Sequence, residues 1–307
     1  MSSPLASILA NYTCENPGVL AKLHQLLSHG RLGGTGRLMI LPVDQGFEHG
    51  PARSFAPNPA GYDPLYHWQL AIESGVSAFA APLGLLGAGA ARYAGQIPTI
   101  LKLNSANSHA IAANQAVTAT IEDALQLGCI GIGYTLYPGS EHQFEMIETL
   151  QALSAAAKQA GLLTVVWSYP RGGDLSKESE TALDVVAYAA HMAALLGAHI
   201  IKVKPPRDHI AQAAARPSYA GQDWTRLEDR IAHVVRSAFE GRRILIFSGG
   251  EVKDDTALKG EVTAIARGGG FGSIIGRNAF QRPKAEAIEM LHTLMDIYAD
   301  PSLRGAS

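Results

Sequence analysis

Cysteine is nearly absent. Cys14 and Cys129 are the only two in 307 residues, so no disulfide framework holds this fold, and such poverty suits a reducing cytosol. An excess of one charge is lacking too. There are 25 lysines and arginines against 27 aspartates and glutamates, a formal net charge of −2. Without a Lys/Arg block to meet a phosphate backbone, a nucleic-acid partner is not expected. Long hydrophobic runs are also missing. The most apolar stretch, Ala187–Ile201, is broken by His191, Gly197 and His199 and cannot cross a bilayer, so no membrane partner is expected. The opening MSSPLASILANYT has no basic segment leading into an apolar one and does not read as a secretory leader. A soluble cytosolic protein is the expectation, and the 47% hydrophobic content is ample for a large core.

Short apolar runs, many rich in β-branched residues, recur along the chain. They are Leu38–Asp44, Ser77–Pro82, Thr99–Asn104, Cys129–Thr135, Leu163–Pro170, His199–Lys204, Arg243–Gly250 and Gly272–Asn278. Continuous apolar character suits parallel strands buried on both faces. Between them lie helical patterns: Gln143–Ala160 stops at Gly161, Ser179–Leu196 stops at Gly197, and Asp223–Phe239 and Lys284–Tyr298 read the same way. Eight strand–helix units predict a (β/α)8 TIM barrel over residues 37–307, as one catalytic domain. Residues 1–36 form an N-terminal extension, with Pro17–Ser28 as a helix capping the barrel's bottom. An open doubly wound sheet is the alternative, but no dinucleotide fingerprint accompanies it. The alanine-rich second strand is the least distinctive, and Gly84–Gly95 holds too many glycines to read as a helix.

In a barrel of this kind the reacting groups stand at the carboxyl ends of the strands. Those ends carry Asp44, Lys102, Asn104, Trp167, Tyr169, Lys202, Lys204, Ser248 and Arg277. Alternation along a strand puts Ile200, Lys202 and Lys204 on one face and Ile201 and Val203 on the other. If the second pair packs on helices, both lysines point into the barrel mouth. A buried lysine needs a reason: a salt bridge to Asp44, an anionic ligand, or use as a nucleophilic amine. Lowering a lysine from ~10.4 to ~7 requires about 4.6 kcal/mol against the charged form. A second ammonium two residues along the strand, ~6.7 Å away, supplies roughly 2.5 kcal/mol at an effective dielectric of ~20, and desolvation near Trp167 can add the rest. The glycine-rich turns Ser248-Gly249-Gly250 and Gly276-Arg277-Asn278 end the last two strands. Their exposed N–H groups and the arginine fork suit a phosphate. Gly268-Gly269-Gly270 falls at the barrel's other end and reads as structural.

Five stretches then stand together: LPVDQGFEHGP (Leu41–Pro51), WSYPRG (Trp167–Gly172), AHIIKVK (Ala198–Lys204), FSGGE (Phe247–Glu251) and GSIIGRNAFQRP (Gly272–Pro283). In this order they resemble the archaeal-type class I fructose-bisphosphate aldolases, a family with a bacterial branch. The resemblance implies that Lys202 forms the Schiff base, that Tyr169 is the general acid/base, and that Asp44 binds substrate hydroxyls and steadies the charged nitrogen. It places Trp167 in the substrate pocket and Arg171, Ser248, Gly249, Gly250, Gly276 and Arg277 on the sugar phosphate. It further implies a lyase that cleaves fructose 1,6-bisphosphate reversibly, without metal or cofactor because an imine replaces a Lewis acid, and assembled as a homo-oligomer, dimer to decamer. A tyrosine near ~10 is a poor resting base at neutral pH; a nearby iminium and arginine are expected to favour its phenolate.

Other readings share these residues. A Schiff-base transferase or synthase of the same family would keep Lys202 and the phosphate turns but act on another phosphorylated ketose. A metal-dependent aldolase would draw on Asp44, Glu48 and His49, whose spacing matches no established zinc motif. A non-catalytic phosphosugar-binding protein would need neither Tyr169 nor a reactive amine. Lys204 and Lys102 stand near enough to compete with Lys202, Lys177 can reach toward a distal phosphate, and His49 lies in a turn where it can meet ligand or brace the turn.

Overall fold

A computed structural model describes residues 3–249 and 253–303. Eight parallel strands close on themselves: β1 (Leu38–Pro42), β2 (Ala78–Pro82), β3 (Thr99–Lys102), β4 (Gly131–Leu136), β5 (Leu163–Ser168), β6 (Ile200–Val203), β7 (Ile244–Ser248) and β8 (Gly272–Ile274). Each pairs with its sequence neighbour, and β8 pairs back to β1. The closure rules out the open sheet. The strands are shorter than the apolar runs, so Asp44, Tyr169 and Lys204 fall just beyond the ladders, where loops begin. A two-stranded antiparallel hairpin, Asn104–Ser105 with Ala116–Val117, follows β3 and was not expected.

The period of two sorts the side chains into two cores. Leu38, Ile40, Ala78, Ala80, Ile100, Val165, Trp167, Ile200, Ile246 and Ile274 fill the barrel. Met39, Leu41, Phe79, Leu101, Ile132, Val166, Ile201, Val203 and Phe247 face the surrounding helices. On β4 the inward positions are Gly131 and Gly133. A Cβ at Gly133 would lie 2.2 Å from the Trp167 ring, so the glycine makes room for that indole.

The barrel's lower mouth is plugged by the N-terminal segment. Ile8, Tyr12, Val19, Leu23, Leu26 and Leu27 join the inner core. The helix Pro17–Ser28 forms with those bounds; Asn16 caps it by accepting from Val19 N at 3.0 Å, and proline occupies its first turn. The Tyr12 hydroxyl donates to His199 O at 2.6 Å and accepts from Ile244 N at 3.0 Å, pinning the segment to the starts of β6 and β7.

Several helix bounds differ from the sequence reading. Leu83–Gly89 is a helix despite its glycines. The Ser179–Leu196 pattern splits into a 3-10 turn, Ser179–Thr181, and a helix, Leu183–Leu195, because Ala182 between them is extended and bridges to Arg207. The helix read from Asp223 starts at Leu227, since the Asp223 carboxylate holds Thr225 N at 2.9 Å in a turn first. Among the described residues no helix is long and apolar enough to cross a membrane.

Candidate active site

The carboxyl ends of the strands surround a cavity of about 130 Å3. Asp44, Trp167, Tyr169, Arg171, Lys202, Ser248, Gly249, Gly276 and Arg277 all line it. Gly250, also read as a phosphate contact, lies outside the described residues.

Lys202 sits on β6 opposite Trp167 of β5 and Ile246 of β7. It is 6% exposed, with Nζ 5.5 Å from the Trp167 ring and 5.3 Å from the Tyr169 ring. Among the described residues Nζ makes no ion pair or hydrogen bond, so space rather than a partner lies before it. Burial pushes its pKa down to about 8; Asp44 and Glu48 pull upward, while Lys102 and Arg277 add to the lowering. The salt bridge to Asp44 weighed from the sequence does not form.

The expected source of the electrostatic push is corrected. Lys204 lines the cavity, but its Nζ lies 3.2 Å from Glu180 Oε2. That carboxylate offsets the charge that was to act on Lys202. Lys102 stands in its place. It ends β3, only 3% exposed, with Nζ 5.8 Å from the Trp167 ring, so the two lysines bear on one indole. Lys102 Nζ donates to Asn104 O, to Asn104 Oδ1 at 3.2 Å and to Gln115 Oε1 at 3.2 Å. Three acceptors engage all three N–H groups of an ammonium. Burial pushes the pKa of Lys102 down to about 8 as well, so it is the hydrogen bonds holding its nitrogen, and not its basicity, that set it apart from Lys202, which makes none among the described residues.

The acceptors are themselves fixed. Asn104 exchanges two hydrogen bonds with the Thr135 backbone, at 2.8 and 2.7 Å. Gln115 Nε2 donates to the Tyr137 hydroxyl at 2.6 Å, and Arg171 Nη1 donates to the same hydroxyl at 3.2 Å and to Glu48 Oε1 at 3.4 Å. A polar chain thus runs from β4 through Lys102 to the arginine at the rim. Gln115 and Tyr137 were not singled out from the sequence. Tyr137 continues the inward series Gly131, Gly133, Thr135 and was legible from that period; Gln115 enters through the unexpected hairpin and had no signal.

Tyr169 follows β5. Burial drives its phenol well above the usual value and the charge of Asp44 adds to this; the Ser248 hydroxyl and Arg171 act the other way and are outweighed. Arginine thus favours the phenolate as expected but is outweighed by burial, and at neutral pH Tyr169 is a neutral acid. Ser248 pairs with Ile274, bringing the ends of β7 and β8 side by side. Asn278 Oδ1 accepts from Lys253 N at 2.9 Å, linking the two turns. Gly276 passes so close to β1 that a Cβ would lie 2.8 Å from Pro42 O.

Lys177 lies on the outer rim, its side chain 89% exposed and its Nζ 2.8 Å from Glu180 Oε1. His49 lines the cavity, 3.9 Å from Glu48. Glu48 is committed to Arg171, and among the described residues no three His, Cys, Asp or Glu side chains gather as metal ligands. Asp44, Glu48 and His49 do not form such a set.

With this geometry in hand, the comparisons with known proteins are specific. The family model "DeoC/LacD family aldolase" matches residues 38–282, and the chain is an aldolase of that family. A probable fructose-bisphosphate aldolase class 1 of Chlamydia muridarum is 38% identical over 305 residues, covering 94% of this chain and 87% of its own length. A fructose-bisphosphate aldolase class 1 of Thermoproteus tenax is 34% identical over 252 residues, covering 81% and 86%. The chain belongs with these class 1 enzymes, and it is a lyase. A solved archaeal fructose-1,6-bisphosphate aldolase, with its catalytic lysine covalently bound to the carbinolamine intermediate of the substrate, superposes with a TM-score of 0.74. It is 30% identical and covers 90% of this chain and 98% of that one.

Proposed function

We propose that this enzyme cleaves fructose 1,6-bisphosphate through an imine on Lys202, giving dihydroxyacetone phosphate and glyceraldehyde 3-phosphate. The observation that carries the assignment is a buried amine with pKa about 8 and no hydrogen-bond or ion-pair partner among the described residues, facing a cavity between two aromatic rings. At pH 7 roughly a tenth of such an amine is free, against about one part in 2,500 for an ordinary lysine.

The neutral state of Tyr169 sets the order of proton transfers. Lys202 Nζ adds to C2 of the open-chain ketose, giving a carbinolamine. Tyr169 donates its proton to the departing hydroxyl, which leaves as water. An iminium and a phenolate then face each other where Nζ lies 5.3 Å from the phenol ring, and their attraction lowers the cost of ionising the tyrosine. The phenolate then takes the C4 hydroxyl proton. The C3–C4 electron pair moves into the iminium to form an enamine as the aldehyde leaves. Tyr169 returns the proton to C3, and water releases the ketone and frees the amine. Asp44 binds the sugar hydroxyls and the cationic nitrogen, Trp167 walls the pocket, and Ser248, Gly249, Gly250, Gly276 and Arg277 hold the phosphate next to C1, with Arg171 at the other rim.

This reading carries with it a cytosolic homo-oligomer and a single catalytic domain over residues 37–307 with the extension 1–36. Borohydride reduction in the presence of dihydroxyacetone phosphate, followed by peptide mapping, tests the centre of it. The label is expected on Lys202; label on Lys102 or Lys204, or none, overturns the assignment. Negligible triose phosphate from fructose 1,6-bisphosphate would instead favour a transferase on another ketose phosphate.

A further inference from the structure

Outside the catalytic cavity, a groove of about 570 Å3 lies between the helices Leu183–Leu195 and Leu227–Ser237 and the loop that follows β6. It shares no residue with the site around Lys202. Its walls are aromatic: Tyr188 from the first helix, 56% exposed, Tyr219 from the loop, and Phe239 from the turn after the second helix. The loop side is held firmly. Asp184 Oδ1 and Oδ2 accept from Ala211 N and Gln212 N at 2.9 Å each, and His233 Nε2 lies 3.0 Å from the Tyr219 hydroxyl.

Two opposite charges border this groove without neutralising one another. Arg236 and Glu240 both line it, and among the described residues neither side chain forms an ion pair or a hydrogen bond. They stand one turn apart, since Glu240 N donates to Arg236 O at 2.8 Å, about 6 Å along a helix axis. Glu240 is placed against local preference. Phe239 and Glu240 have φ of 61° and 54°, a left-handed conformation uncommon outside glycine, and the carboxylate follows the negative end of a helix dipole. Strain of this kind gathers at ligand-binding positions. His191 adds an acceptor. Its Nδ1 lies 2.8 Å from Ser237 O; a carbonyl cannot donate, so Nδ1 carries the hydrogen and Nε2 of the neutral ring presents a lone pair.

We infer that this groove binds a free aromatic α-amino acid, with its carboxylate on Arg236, its ammonium on Glu240 and His191 Nε2, and its ring among Tyr188, Tyr219 and Phe239. An anion alone would leave Glu240 unanswered beside it, and a cation alone would meet Arg236; a zwitterion satisfies both. The amine nitrogen and carboxyl carbon of an amino acid are ~2.5 Å apart. With charge-assisted hydrogen bonds of ~2.8 Å on each side, such a ligand reaches across ~8 Å, enough to bridge ions one helical turn apart. The ammonium falls at the carboxyl end of Leu227–Ser237, where the helix dipole favours a cation. A ring among aromatic walls finds edge-to-face partners. No step at Lys202 depends on this site.

The test is isothermal titration calorimetry of L-phenylalanine into the native full-length assembly, with phenylacetate, phenethylamine and glycine as controls. Saturable binding of L-phenylalanine is expected. Each control, lacking the ammonium, the carboxylate or the ring, should bind at least about tenfold more weakly. Arg236→Gln and Glu240→Gln should each weaken L-phenylalanine by at least about tenfold and leave aldolase activity unchanged. Glu240→Gly should abolish binding and raise Tm, because glycine takes a positive φ without strain; that pairing marks a residue kept for a ligand and not for the fold. No heat with L-phenylalanine up to about 10 mM, equal affinity for phenylacetate or glycine, or unchanged affinity in Arg236→Gln or Glu240→Gln overturns the inference. If L-phenylalanine fails to bind and Tyr188→Asp dissociates the native assembly, the groove belongs to a second copy of the chain instead.

Discussion

Lys102 gives the most quantitative prediction. Its ammonium and that of Lys202 lie 5.8 and 5.5 Å from the same Trp167 ring centroid, so they are at most about 11 Å apart. At an effective dielectric of ~20 that separation corresponds to at least about 1.5 kcal/mol of repulsion, or about one pKa unit. Replacing Lys102 by methionine removes the charge and keeps the length of the side chain. The pKa of Lys202 should rise from about 8 toward ~9. The sign is fixed: removing a cation favours the protonated amine. At pH 7 the free-amine fraction falls about tenfold, and above pH ~10 the two enzymes converge. The assay is the rate of borohydride-dependent inactivation with dihydroxyacetone phosphate, followed from pH 6 to pH 10. An activating role predicts a profile displaced to higher pH with the same plateau. A merely structural role predicts a loss equal at every pH, since Gln115 Oε1 would lose its donor at a cost of about 1–3 kcal/mol, while Asn104 Oδ1 keeps that of Thr135 N. A parallel profile, or no displacement, refutes the reasoning.

Tyr169→Phe removes the proton carrier while leaving the ring against Lys202; turnover should fall by about 10² to 10⁴ while substrate still attaches covalently, and single-turnover kinetics with mass spectrometry would expose retained turnover as a refutation. Arg277→Met should raise KM for every C1-phosphorylated ketose by about 10- to 100-fold, as loss of a charge-assisted hydrogen bond requires, with kcat little changed; an equal loss in kcat would place Arg277 in the chemistry. Gly133→Ala puts a methyl 2.2 Å from the Trp167 ring and should cost about 1–3 kcal/mol, read as a lower Tm together with a displaced tryptophan emission. Tyr12→Phe leaves His199 O and Ile244 N without their partner and should lower stability by about 1–3 kcal/mol without altering kcat at 25 °C.

Sequence periodicity located all eight barrel strands because parallel strands buried on both faces are apolar except where a site residue enters at the carboxyl end, as Lys202 does in IIKV of β6 and Ser248 in ILIFS of β7. The strand ends overshot for a related reason. Asp44, Tyr169 and Lys204 keep the alternating direction of the strand after its hydrogen bonds have stopped, so direction was readable where the ladder's end was not. The same alternation placed Lys202 and Lys204 on one face, and the cavity lining agrees.

What one strand cannot disclose is the partner that arrives from another. Lys204 was expected to lower the pKa of its neighbour because a backbone spacing of two residues was the only separation available to reason with. Glu180, 24 residues upstream, comes into contact through the loop after β5 and turns a like-charge neighbour into half of an ion pair. Lys102 then performs the electrostatic work from across the indole, held by Asn104 and by Gln115 from a hairpin whose two-residue arms are too short to show any period. A lysine's task in a barrel mouth is thus decided by the acceptors that reach it. Three neutral oxygens hold the Lys102 nitrogen although burial lowers its pKa to about 8 too, one buried carboxylate keeps Lys204 in place, and the absence of either leaves Lys202 the amine able to attack.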